Sequence, residues 1–595
     1  MKLSRNFWIV LALFLVVLLS YANAFRNEFA WDDEFFIVNN MHIQNFDEIP
    51  GFFAEPSTGD LYRPLRSVFY SIIYKIWQLN AFGYHLNGFL LHFFITAILF
   101  FITLKITDNA LLSFVASLFF AAHPIHTARV TNMTASFDLY GILFLLLSLL
   151  FYILYSKYGS NRHSSSHYYW PSIIFYLLAL FSSEEALTLI LILALYDFSF
   201  NHEINTKNLK AALRKYVPYI AVTVIYLAIR FFVLQKIGRA ETYFMGNFYG
   251  TFLTTVKIFA NYVLIMFFPA GIATERYVKF ETSALSINLL ISLLALILIL
   301  FFFWKSYNQS KILFFSIGWF FITLLPFSNI APQYTIMADR YLYLPSYGFV
   351  LFLALLTFQI KKIESIKKYS NMIVVLLVLL IASIYSVLTI QNNAEWRDSF
   401  TLLTSSLEKN PLGTKTHNEL ALYYRDKLQD YDTALKLAFR AIELGSENHN
   451  AYENIGTIYA KLGDYDKAIL NYKKSIELNP RYYRAHNNLG LIYSYTGNFN
   501  ASVYYLKQAV SVEPKLAKAH NDLGTVYAKI GEFELAIEEM ERSIKINPYE
   551  PDYYYNLAVM YKFLKENEKA KGLLKKALEI EPNNEKVKKR LADIG

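Results

Sequence analysis

Three consecutive carboxylates, Asp32, Asp33 and Glu34, sit in the stretch from Phe29 to Phe36. They follow an apolar run at 7–25 that is long enough to cross a bilayer, which places them at the water boundary beyond its far end. Trp31, Phe35 and Phe36 flank them, and aromatic flanks draw such a segment against other protein instead of into solvent. A partly buried acidic pair has its two pKa values driven apart, the condition for one carboxylate to act as a base near neutral pH. A solvated turn that stops the first helix from sliding is the plainer alternative.

Further ionisable residues close or open later apolar runs: His123 and His126 in His-Pro-Ile-His, Asp138, Glu184 beside Glu185, and Asp339 with Arg340 ahead of Tyr341. Singly each reads as loop punctuation. Together they form a set of both charge signs beside a hydrophobic medium, which suits a site for a charged lipid headgroup. Arg340 fits best, because a guanidinium grips a phosphate bidentately and neutralises it as a leaving group. His126 reads as a hydrogen-bonded structural group, since no partner spacing supports a metal.

The elements that must position these residues are membrane helices. The chain has 595 residues, 55% of them hydrophobic, with 46 Tyr, 51 Phe and no Cys, and its mean hydropathy is positive. Such a chain is too apolar for a soluble protein and too long for one domain. The formal charge is +9, but residues 391–595 contribute only about +1, so the excess belongs to loops that set membrane orientation, and nucleic-acid binding is not inferred. Disulfide and thiolate chemistry are excluded.

About twelve apolar runs precede residue 390. With Lys2 and Arg5 inside, Lys105, Lys157 with Arg162, and Lys207 to Lys215 also fall inside, as the basic-loop rule asks. Taking 247–270, which carries Lys257, as an interfacial or re-entrant helix keeps the basic loop Lys361 to Lys368 inside. About eleven spans result, with an uncleaved first helix and the C-terminus outside. In the long loop after the first span, Tyr62 and Arg63 lead into Pro64–Leu79, a helix with Arg66, Lys75 and Trp77 interleaved that would lie in the interface and roof a cavity near Asp32.

Beyond Pro411 a 34-residue period sets in. Pro480, Pro514, Pro548 and Pro582 keep it, as do Asn454, Asn488, Asp522 and Asn556, and Ala434, Ala468, Ser502, Ala536 and Ala570. These are tetratricopeptide repeats, about five of them at 414–584, after a linker and leading helix at 391–413 and before a Lys-rich cap at 585–595. The expected fold is all-α, a membrane bundle over 1–390 followed by an α-solenoid whose groove binds peptide. Tyr459 and Tyr472 are read as core, whereas Tyr482, Tyr483, Tyr504, Tyr505 and Tyr553 to Tyr555 exceed packing needs and are assigned in part to a binding surface.

Taken together, the Trp-Asp-Asp stretch, Tyr62-Arg-Pro-Leu65, His123-Pro-Ile-His126, Ala338 to Pro345, Trp396-Arg-Asp398 and the repeat array resemble the transmembrane and tetratricopeptide-repeat O-mannosyltransferases and their prokaryotic relatives, of the GT-C glycosyltransferase class. The resemblance implies transfer of mannose or a similar hexose from a polyprenyl-phosphate carrier to a Ser or Thr hydroxyl of a protein acceptor. That transfer would occur outside a cell inner membrane, with the N-terminus cytoplasmic and the repeats external. Carried over, Asp32 is the base, Asp33 orients it and Arg340 stabilises the departing phosphate, with Glu34, Tyr62, Arg63, His123, His126, Asp138, Glu184 and Asp339 in support. No cofactor is required, although three adjacent carboxylates leave a Mg or Mn site open. The chain departs from its relatives at Ala128, where a Glu is usual, at Ser136, where an Arg is usual, and at Ser183, where a Lys is usual; Arg129 is a candidate replacement for one lost charge. Rival readings are a membrane-anchored repeat scaffold and a lipid-linked glycan ligase or polymerase.

Overall fold

Long runs of Leu, Ile, Val and Phe wind into helices because an apolar medium leaves backbone N–H and C=O groups no partners except one another. The computed structural model describes residues 5–57, 61–158, 162–201, 214–235, 243–269, 271, 276–445 and 448–594, and among these the fold is all-helical apart from one isolated bridge between Ser57 and Leu61. The basic stretch at 207–213 lies outside the described residues. Two compact units result, 1–411 and 412–595.

In the first unit seven described helices are long and apolar enough to cross a membrane: Arg5–Arg26, Ala81–Thr107, Met133–Tyr158, Val217–Leu234, Phe248–Phe267, Ile287–Gln309 and Lys367–Glu395. Ala110–Ala122 and Pro124–Val130, bent by 50°, make an eighth if taken as one broken span. Other apolar runs fold into shorter helices, among them Leu189–Phe200, Lys311–Leu324 and Ser346–Gln359, so length and composition alone give fewer spans than the eleven read from the sequence. Phe248–Phe267, read from the sequence as interfacial or re-entrant, is one 20-residue helix long and apolar enough to count among the candidate spans. Its Lys257, the residue that argued against crossing, reaches Glu281 Oε1 and the Lys279 carbonyl, each at 2.6 Å. Pairing removes most of the cost of that charge. Close helix approach is built in at Gly348, where a Cβ would stand 2.4 Å from the Ser316 carbonyl oxygen.

The second unit is a row of helical hairpins: Thr414–Tyr423 with Tyr431–Leu444, His449–Lys461 with Tyr465–Leu478, Tyr483–Tyr495 with Phe499–Val512, Ala517–Ile530 with Phe533–Ile546, and Pro551–Phe563 with Asn567–Ile580. Ala434, Ala468, Ser502, Ala536 and Ala570 are fully buried at the helix contacts. Gly463, Gly497 and Gly531 turn the chain at φ near +80°, a conformation glycine adopts without steric cost. Consecutive repeats are stitched by Asn488 donating to Glu453, Asn487 to Asp522 and Asn556 to Asn521. Helix Glu585–Ala592 closes the row on buried Val587. Tyr472 is buried as expected of a core residue, but so are Tyr553 and Tyr554, which removes those two from the surface set, while Tyr504 stays exposed.

The break between units comes at Pro411, inside the segment 391–413 read as linker and leading helix. Trp396 and Leu402 pack with Ala30, Ala128 and Trp31, so the leading helix, Ser399–Lys409, belongs to the first unit.

Candidate active site

The first helix ends in a 3-10 turn, Ala22–Arg26, and the chain then runs extended into the acidic loop. Trp31 takes φ +54°, a left-handed conformation that is costly for a bulky side chain and persists only where surroundings enforce it. Two residues on, Asp33 turns inward. It is 1% exposed; its Oδ2 accepts from Ala30 N at 3.0 Å, and its Oδ1 from Thr134 N and Oγ1 at 2.8 and 2.6 Å. Burial pushes its pKa up to about 6 against the pull of those donors, with a smaller push from Asp32. The Asp32 side chain remains half-exposed and makes no hydrogen bond to protein among the described residues. Glu34 opens the five-residue π-turn Glu34–Val38, which buries Ile37. Two adjacent carboxylates thus have opposite surroundings, one saturated and one open.

Thr134 connects this loop to a buried ionic cluster. Its carbonyl accepts from Tyr70 OH, which in turn accepts from Arg66 Nη2 at 2.9 Å. Arg66 and Arg63 come from the start of helix Pro64–Trp77 and converge on Asp138 Oδ1 at 3.4 and 2.7 Å. Arg63 also grips Glu184 at 2.6 Å. From the other side Arg129 meets Asp138 Oδ2 at 3.3 Å and Glu185, and its Nε donates to the Arg340 carbonyl at 3.0 Å. Three guanidinium groups therefore face three carboxylates. Buried ions need such pairing, and none of the three cations is left for an anionic ligand.

Arg340 is different. Its guanidinium lies over the Tyr341 ring, 5.3 Å from the centroid, and pairs with no carboxylate among the described residues. Asp339, expected beside it as site support, is instead 1% exposed and forked by Arg276 at 2.5 and 3.0 Å, which fixes the turn Asp339–Leu342. His126 Nε2 lies 2.8 Å from Ser346 Oγ, and His123 Nδ1 accepts from Ile125 N; both rings are fully buried. They brace the segment behind Arg340 and do not line an open cavity. Tyr62 is likewise buried, its hydroxyl donating to the Phe53 carbonyl at 3.0 Å. Among the described residues no three His, Cys, Asp or Glu side chains converge as a metal site.

The structure thus brings Asp33, Arg63, Asp138 and Glu184 into one connected network with Asp32 at its edge, and moves Tyr62, His123, His126 and Asp339 into supporting positions. Sequence reading passed over Arg66, Thr134 and Arg276 as site residues. Arg63 and Arg66 at i, i+3 on a helix start were a usable signal for a paired cation; Thr134 and Arg276 left none. Arg129, the candidate replacement for a lost charge, supplies a guanidinium to Asp138.

In the second unit, a groove of about 550 Å³ opens along helices Ala517–Ile530 and Pro551–Phe563, with Phe533, Tyr555, Val559 and Phe563 as apolar surface and Lys529 and Arg590 as its charged groups. Among the described residues no carboxylate lines it.

Fold and site define a multi-pass membrane protein with a C-terminal tetratricopeptide-repeat solenoid. Family profiles described as TPR repeat or tetratricopeptide repeat match residues 456–497, 487–551 and 551–584. Similarity over a larger part of the chain runs to the protein O-mannosyl-transferase F38B6.6 of Caenorhabditis elegans, 24% identical over 73% of this chain and 63% of that protein. Human protein O-mannosyl-transferase TMTC3 is 23% identical over 75% and 52%, and human TMTC4 25% over 71% and 64%. The chain is homologous to the transmembrane and tetratricopeptide-repeat O-mannosyl-transferases, and spans a little over half to about two-thirds of the length of these relatives. Among solved structures, a tetratricopeptide-repeat protein of Thermus thermophilus, TTC0263, is 25% identical over 31% of this chain and 98% of its own, at TM-score 0.28.

Proposed function

We propose that this chain is a glycosyltransferase that moves a hexose, mannose or one like it, from a polyprenyl-phosphate carrier to a Ser or Thr hydroxyl of a protein, on the non-cytoplasmic face of the cell membrane. The observation that carries the reading is the contrast within the acidic doublet: Asp33 is buried and fully hydrogen-bonded, while Asp32 beside it is open and unpaired among the described residues. Asp32 takes the acceptor hydroxyl proton as that oxygen bonds to the anomeric carbon. The bond from the anomeric carbon to the phosphate oxygen breaks, and the lipid phosphate leaves with the electron pair. Arg340, which pairs with no carboxylate among the described residues, neutralises it. The Arg63–Asp138–Glu184 cluster supports the frame. No step is assigned to a Mg or Mn ion, and activity in the presence of a chelator tests that choice.

The repeat array selects the acceptor, with the groove around Phe563 as the contact surface. Its two cations and apolar walls suit an extended peptide that carries acidic and aromatic side chains. The deciding experiment incubates the purified protein with radiolabelled polyprenyl-phosphate mannose and Ser- or Thr-containing peptides. Labelled peptide from wild type and none from Asp32→Asn supports the reading. Absence of transfer from wild type, or equal transfer from the variant, overturns it.

A further inference from the structure

The far end of the last candidate span of the first unit is tied to the acidic loop and the end of the first helix by a series of hydrogen bonds. Asn23 Nδ2 donates to the Ile390 carbonyl at 2.9 Å, Asn27 Nδ2 to the Asn393 carbonyl at 2.8 Å, and Glu28 N to the Arg397 carbonyl at 2.8 Å. The side chain of Asn393 is used at both ends: its Nδ2 donates to the Ser20 carbonyl at 2.8 Å and its Oδ1 accepts from Thr131 Oγ1 at 2.6 Å. Trp396 closes the contact from the apolar side against Ala30 and Trp31. At the end of this strut, Ser399 Oγ accepts the Trp31 N–H at 2.9 Å.

That last bond falls on the residue at φ +54°, immediately before Asp32. A left-handed tryptophan relaxes unless something holds it, and relaxation by even part of the φ change redirects the next side chain. Its amide would otherwise lose its acceptor in a part-buried place, a cost that makes the hold specific. We infer that Ser399, anchored through Asn393 and Trp396, is a positioning residue that fixes the left-handed turn at Trp31 and so aims Asp32 at the acceptor hydroxyl. Ser399 touches neither donor nor acceptor in this account; it acts through the Trp31 backbone. The inference rests on the proposed role of Asp32.

The test compares wild type, Ser399→Ala and Ser399→Thr as full-length proteins in detergent, by steady-state transfer and by amide hydrogen exchange. Ser399→Ala is expected to lower kcat about tenfold with the donor KM unchanged, as displacement of a catalytic group does, and to speed exchange at the Trp31 amide. Ser399→Thr keeps the hydroxyl and is expected to restore kcat to within about twofold. Equal kcat in wild type and Ser399→Ala overturns the positioning role, as does an equal loss in both variants, which would mark a packing defect. Wild type that transfers no sugar overturns the proposed function itself, and the positioning role falls with it.

Discussion

Asp33 and Thr134 are 101 residues apart in the chain, yet both the backbone N–H and the hydroxyl of Thr134 donate to one carboxylate oxygen of Asp33. This double bond to the acidic loop explains how a carboxylate is held 1% exposed, and why its neighbour, one residue back, is left facing outward.

The two aspartates should therefore fail differently. Asp32→Asn is expected to abolish transfer while leaving folding stability within about 0.5 kcal/mol of wild type, as an unpaired partly exposed site allows. Asp33→Asn puts an amide NH₂ against donors and should cost about 1–3 kcal/mol as well as activity. Thermal unfolding in detergent beside the transfer assay separates the two; equal stability loss in both would contradict the division of roles.

Asp33 also gives the first unit a distinctive pH response. Its folded pKa of about 6 lies above the ordinary 3.8, so the folded state binds the proton more tightly than the unfolded one between these values. The group's stability contribution is then fully present below about pH 4 and is lost as pH rises through about 6. The difference in unfolding midpoint between wild type and Asp33→Asn should move in favour of wild type on acidification from pH 7 to pH 4. Asp32→Asn removes a charge that raises this pKa and should shift the transition downward.

Arg129 and Arg340 are two cations joined by one hydrogen bond, with contrasting expected defects. Arg129→Ala takes the guanidinium from buried Glu185, while Asp138 keeps Arg63 and Arg66, and should destabilise by about 3–5 kcal/mol. Arg340→Ala breaks no ion pair and should leave stability near wild type, raising donor KM and lowering kcat by at least about tenfold through the lost charge on the leaving group. Unfolding midpoints and donor titrations on both variants check this.

The repeat groove offers a separable prediction. Arg590→Glu and Lys529→Glu reverse its charge and are expected to weaken binding of a fluorescein-labelled Ala-Asp-Phe-Glu-Leu-Ala peptide by about tenfold, a loss on the order of 1.4 kcal/mol. A peptide with both acids changed to Lys should gain from the same reversals. Fluorescence anisotropy with the full-length protein measures both, and affinities indifferent to charge would exclude the groove as the acceptor surface.

The chain has no native cysteine, so single replacements report sidedness cleanly. Phe35→Cys, at a position 55% exposed, and Lys586→Cys in the final helix are expected to react with an impermeant maleimide added to the same, non-cytoplasmic side of sealed cells. Labelling from opposite sides would remove the proposed topology.

Much of this protein was legible as text because its signals are local or periodic. Apolar runs become helices whatever surrounds them, since backbone polar groups in lipid must pair within the segment. The 34-residue recurrence of Ala, Gly and Pro survives because each repeat packs only on its neighbours, so the same small residue is needed at the same helix contact each time. The doublet at Asp32 and Asp33 and the cation at Arg340 stood out from residue type and placement alone.

Tertiary structure decided which aspartate is open, which cation has no carboxylate partner among the described residues, and where the first compact unit ends. Asp33 is saturated by Thr134, Asp339 is taken by Arg276, and the Arg63, Arg66 and Arg129 charges are cancelled by Asp138, Glu184 and Glu185. Such pairings depend on distance in space, and a single chain carries no periodic mark of contacts made across a hundred residues. A buried charge is defined by what lies within a few ångströms of it, and the folded backbone, through turns such as the one at Trp31, sets that neighbourhood.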